Sequence, residues 1–108
     1  MNQTFDVTLQ EVKEIQLLSD KIDIGTAELK DYLRHEELLV KAGYNILDIR
    51  KKMYQYGYMN YEDYLEARKN PIDRQQKKAV SIYVVAGIVA FSIYAVYQIT
   101  KFLIKKNK

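Results

Sequence analysis

Two hydrophobic patterns follow one another along this chain. Through residues 1–70, apolar positions recur at helical spacing among polar ones, and period-two alternation is absent. Thr8 with Glu11 forms a capping box ahead of Leu9, Val12, Ile15, Leu18 and Ile22, which predicts a first helix. Gly25-Thr26 breaks it and is placed to cap a second, carrying Leu29, Tyr32, Leu33, Leu39 and Val40 toward Gly43. Asn45 with Asp48 opens a third, with Ile46, Ile49, Met53 and Tyr56 on its apolar face and Gly57 at its left-handed end. Asn60 with Asp63 opens a short fourth, with Tyr61, Tyr64 and Leu65. Asn70-Pro71 marks a new start, and no breaker follows until Ile104. The fold class expected is all-α. A small helical domain over 1–70 precedes one long C-terminal helix over 71–104, with a basic tail at 105–108. The expected core is Leu9, Val12, Ile15, Leu29, Leu33, Ile46, Ile49, Met53 and Leu65.

The long helix carries the second pattern. The 22 residues from Ala79 to Thr100 hold no charge. At a rise of ~1.5 Å per residue they extend about 33 Å, enough for a hydrocarbon core of about 30 Å. A transmembrane span over about 79–100 is therefore expected. Within it, Tyr83, Gly87, Ala90, Tyr94 and Tyr97 share one stripe that continues to Lys101. A tyrosine hydroxyl in hydrocarbon needs a protein partner. The stripe is thus expected to be a seam against neighbouring protein, with Ile82, Val85, Val89 and Val96 facing lipid. The competing explanation is an aromatic belt at the membrane interface.

The segment MYQYGYMNYEDY holds five tyrosines, Tyr54, Tyr56, Tyr58, Tyr61 and Tyr64. Four short helices offer too few large aliphatics to bury every ring, so these are candidates for a soluble interface. The longer stretch from Ile46 to Ile72 resembles the helix–Gly–helix elbow of peptidoglycan glycosyltransferases and many other helical proteins. The resemblance implies a turn geometry and no catalytic residue.

Charge sharpens the division. Residues 1–73 sum to −4 and residues 74–108 to +7. The positive groups bracket the apolar run: Arg74, Lys77 and Lys78 before it, and Lys101, Lys105, Lys106 and Lys108 after it. These read as membrane anchors against anionic headgroups rather than as a nucleic-acid footprint. Acids among the tyrosines also speak against RNA stacking. The final KKNK resembles a dilysine retrieval signal, but lysines so close to a span suit snorkelling to the interface better. Residues 1–20 lack a basic start followed by an apolar stretch, so neither a secretory signal nor a cleavable presequence is expected. The one hydrophobic segment lies at the C-terminal end with almost nothing after it, so a tail-anchored arrangement is expected.

Candidate chemistry is sparse. There is no Cys and a single His35, so thiolate sites, disulfides and histidine metal clusters are excluded. A zinc-protease helix needs a second His four residues later, where this chain has Leu39. No phosphate loop or dinucleotide motif occurs, and Glu36-Glu37 suits a solvated helix face. No catalytic residue, metal or cofactor is expected. The function expected is a non-enzymatic, single-span accessory subunit of a multi-subunit membrane complex. Its partners would be other membrane-protein subunits and lipid, with the mitochondrial inner membrane, in a respiratory complex or ATP synthase, as its setting. The alternative is a tail-anchored adaptor or tether that recruits a soluble partner to an organelle membrane.

Overall fold

The computed structural model describes residues 6–69 and 74–106, with side chains over 6–66 and 83–105. Among the described residues every regular element is a helix: α1 (Leu9–Ile24), α2 (Leu29–Lys41), α3 (Ile46–Ile49), α4 (Lys51–Gln55), α5 (Tyr61–Lys69) and α6 (Arg74–Lys106). An N-terminal helical domain is packed onto one long apolar helix. The start expected at Pro71 and the turn at Asn70 lie outside the described residues, as does the 70/71 boundary.

Local signals account for most of the ends. Thr8 Oγ1 accepts from the Glu11 amide at 3.1 Å, and Glu11 accepts from the Thr8 amide at 3.0 Å, closing the capping box. Gly25 ends α1 at φ 83°, and Gly57 makes the elbow at φ 90°, a region open to glycine without strain. Asn45 caps α3 through the Leu47 amide, and Asn60 caps α5 through the Asp63 amide. One cap differs from expectation. Glu28, not Thr26, sits at the N-cap of α2, where its amide donates to Asp31 at 2.9 Å. The Thr26 hydroxyl instead turns back to the Lys21 carbonyl.

α6 is the spine on which two cores are built. One gathers Val7, Val12, Ile15, Leu18, Leu38, Leu39, Ala42 and Ile49 with Ala95 and Ile99 of α6. The other gathers Ile22, Tyr32, Met53, Tyr61 and Tyr64 with Val84 and Ile88. The early part of α1 thus meets the late part of α6, and the end of α1 meets its beginning, so the two helices run antiparallel.

The core corrects part of the expectation. Val12, Ile15, Ile49 and Met53 are buried, and Leu29 and Leu65 pack partly against the second core. Leu9, Leu33 and Ile46 are exposed. In α2 the buried residues are Asp31, Tyr32, His35, Glu36, Leu38 and Leu39, and Leu33 and Val40 lie across from them. His35 and Glu36 are polar residues with buried partners, so hydropathy alone does not mark the whole of this face.

Candidate functional site: the C-terminal helix

Within α6, residues Tyr83–Lys105 form a segment long and apolar enough to cross a membrane. Phe102, Leu103 and Ile104 carry its apolar character past Thr100. Only 28% of its most apolar stretch is buried by the rest of the chain, so it is not an enclosed core helix. It has two different sides.

The inner side is Val84, Ile88, Ser92, Ala95 and Ile99, all buried, at spacings of 4, 4, 3 and 4. That is the periodicity of a helix laid along another helix. Val85, Val89 and Val96 flank this stripe and pack partly against the two cores. The expectation that these valines face lipid is therefore corrected: α1, α2, α4 and α5 occupy their side.

The outer side holds Tyr83, Ala86, Ala90, Ile93, Tyr94 and Tyr97, all exposed. Tyr94 and Tyr97 are 57% and 62% exposed. Three of the five seam candidates, Ala90, Tyr94 and Tyr97, thus share the surface turned away from the bundle. Gly87 sits at the edge of the two sides and faces inward: a Cβ there would collide with the Lys52 side chain of α4. Tyr83 stacks on Tyr56 with ring centroids 6.1 Å apart, so a seam candidate meets a soluble interface candidate. Lys101 and Lys105 are exposed. The side chains of Arg74, Lys77, Lys78 and Lys106 lie outside those described.

The tyrosine cluster divides in two. Tyr54 and Tyr56 are exposed and Tyr58 is half-buried. Tyr61 and Tyr64 are buried, against Tyr32 at centroid distances of 5.2 and 6.1 Å. As interface candidates these two are corrected, because they close the second core.

A polar network missed at the sequence level ties α2 to the segment after it. Arg50 donates from Nε and Nη2 to the two carboxylate oxygens of Glu36, both at 2.7 Å. Tyr61 Oη donates to Glu36 at 2.6 Å, and the guanidinium lies 4.9 Å from the Tyr61 ring centre. The Glu36 side chain is only 8% exposed, so the solvated-face expectation is corrected for Glu36, whereas Glu37 is exposed and pairs with Arg34. The Glu36 carboxylate pushes the Arg50 pKa further up, and burial pushes the Tyr61 phenol up. Arg at Glu plus fourteen was the available signal, but such spacing is invisible until a turn folds it back.

His35 Nε2 lies 3.0 Å from Ser92 Oγ, linking α2 to α6. Burial holds its pKa down at about 4, so the ring is neutral at pH 7. Nδ1 is buried without a hydrogen-bond partner among the described residues. The spacing is that of a base and a nucleophile. However, Ser92 lies inside a continuous helix, whose ladder uses the neighbouring amides that an oxyanion would need, and both side chains are 1% exposed. The contact fastens helices together. Beside it, Lys13, Leu17, Ser19 and Asp20 of α1 and Ser92 and Ile93 of α6 line an open groove of about 550 Å³. Among the described residues no three His, Cys, Asp or Glu side chains come together to hold a metal ion.

The class defined by this geometry is an all-α protein with an N-terminal helical domain on one candidate membrane-crossing helix. In comparisons with known protein families, curated proteins and solved structures, the chain matches none.

Proposed function

We propose that this chain is a non-enzymatic, single-span accessory subunit of a multi-subunit membrane complex. The observation that supports it is the outer side of α6, where Ala90, Tyr94 and Tyr97 are exposed. In a bilayer, these hydroxyls have no lipid partner, and a neighbouring subunit supplies one. Ala86 and Ala90 leave room for close approach of a second backbone. The mitochondrial inner membrane is part of the proposal, supported by composition alone.

The test is purification of the tagged chain in mild detergent from fractionated cells, followed by native mass spectrometry. A defined large assembly is expected from the mitochondrial membrane fraction. Tyr94→Leu with Tyr97→Leu should release the chain from that assembly, and Ile93→Leu should leave it bound. An intact assembly with both tyrosines replaced overturns the seam.

The second reading, a tail-anchored adaptor, has its own support. Ile46, Leu47, Tyr54, Tyr56 and Met59 expose apolar surface on the α3–α4 side, where a soluble partner could dock. A monomer recovered with one soluble protein would favour it.

A further inference from the structure

The inner side of the span and the bilayer cannot both be satisfied in this arrangement. α1 lies along the span, and its Lys13 and Asp20 flank the groove at Ser92 and Ile93, in the middle of Tyr83–Lys105. If α6 crossed a membrane with α1 in place, these charges would enter hydrocarbon, together with the Glu11–Lys41 and Glu14–Arg34 pairs that join α1 to α2. Charged groups at that depth are strongly disfavoured. The bonds that would have to open are distributed unevenly. Among the described residues, the ion pairs join α1, α2 and the α3–α4 segment to one another. α6 is held by apolar packing and by neutral hydrogen bonds, His35 with Ser92 at 3.0 Å and Tyr44 Oη to the Ala95 carbonyl at 3.5 Å.

We propose that this fold is a closed, water-compatible form in which α1, α2, α4 and α5 sheathe the inner side of the membrane segment, and that membrane entry strips them from it. The inference rests on the reading of α6 as a span. Lipid replaces the packing that Val84, Ile88, Ala95 and Ile99 lose, because acyl chains are as apolar as the core. The α1–α2 pair keeps its ion pairs as it leaves.

The absence of cysteine from the chain makes a clean test possible. The full chain carrying Leu17→Cys and Ile93→Cys, at two exposed residues that line the groove between α1 and α6, is bridged with a short, reducible bifunctional thiol reagent. It is then mixed with vesicles of phosphatidylcholine and phosphatidylglycerol. Insertion is read as resistance to alkaline extraction and as protease protection of the span. The unbridged chain should insert, the bridged chain should stay extractable, and reduction of the bridge should restore insertion. If bridged and unbridged chains insert equally, the sheath is overturned while the span stands. If neither inserts, bridged or reduced, the span reading fails and takes the sheath with it. Ile15→Ala gives an independent arm in a chain without added thiols. It loosens the sheath, and insertion should be several-fold faster than for the unchanged sequence. An unchanged rate counts against the proposal.

Discussion

The junction between α2 and α5 and the junction between α1 and α6 are built on opposite principles. The first is anchored by a bidentate ion pair, Glu36 with Arg50, and by the Tyr61 hydroxyl on the same carboxylate. The second is an aliphatic seam of Val12, Ile15 and Leu18 against Ala95 and Ile99. An ionic junction fixes one geometry, because a displaced partner leaves a buried charge uncompensated. An aliphatic junction accepts any apolar neighbour, lipid included. The molecule is specific where its short helices meet each other and permissive where they meet the long one.

Removing one charge from the ionic junction should have the largest effect. Glu36→Ala leaves Arg50 only 16% exposed without its carboxylate and leaves Tyr61 Oη without its acceptor. A loss of about 4 kcal/mol is expected in urea unfolding of the closed form. At the aliphatic junction, Ile99→Ala should cost about 3 kcal/mol in the same assay, as a cavity opens in the first core. It should also leave the Glu36 network untouched, so the effects of the two substitutions should add. Near-equal losses with strong coupling would erase the contrast between the junctions.

Acid should act on the contact between them. Unfolded His35 takes up a proton near pH 6.5, and the folded ring does so only near about 4. Below pH 6.5 the unfolded chain therefore binds more protons. Stability should fall as pH drops from 6.5 to about 4, by up to about 3 kcal/mol, and this contribution levels off below that. Glu36 is the charged group acting on the ring, and it opposes the burial effect. His35→Leu should flatten the curve between pH 6.5 and 4.5. Below that range Glu11 and Glu14 add their own loss, since Lys41 and Arg34 hold their pKa values down. A slope unchanged by the substitution would show that the ring is not buried in solution.

The smallest effect belongs to the exposed side of α2. Leu33→Ala, at an exposed site, should change stability by less than about 0.5 kcal/mol. Leu39→Ala, at a fully buried one, should cost about 3 kcal/mol. The two mutants together report which side of α2 is covered.

That pair also marks the limit of what could be read from residues alone. Most helix ends were legible, because Thr8–Glu11, Gly25, Asn45, Gly57 and Asn60 act within a turn of where they stand, but the break at Arg50 that divides the expected third helix into α3 and α4 was not. The long apolar helix was legible from the absence of charge over a span-length run. The side of α2 that packs was not, because its two central positions are polar and their partners, Ser92 and Arg50, arrive from elsewhere in the fold. Nor was the inner side of α6. A helix apolar on all sides carries no pattern that tells a bundle where to settle, and the tyrosine stripe marks only the side left over.

Gly87 gives this arrangement a tolerance as well as a geometry. The space its missing side chain leaves is filled by the root of the Lys52 side chain, close to the α4 backbone, where there is little freedom to swing aside. Alanine there would press on Lys52 and force α4 and α6 apart, and with them the stacked rings of Tyr56 and Tyr83. The clearance at this one glycine thus limits how closely α4 can lie against the terminal helix.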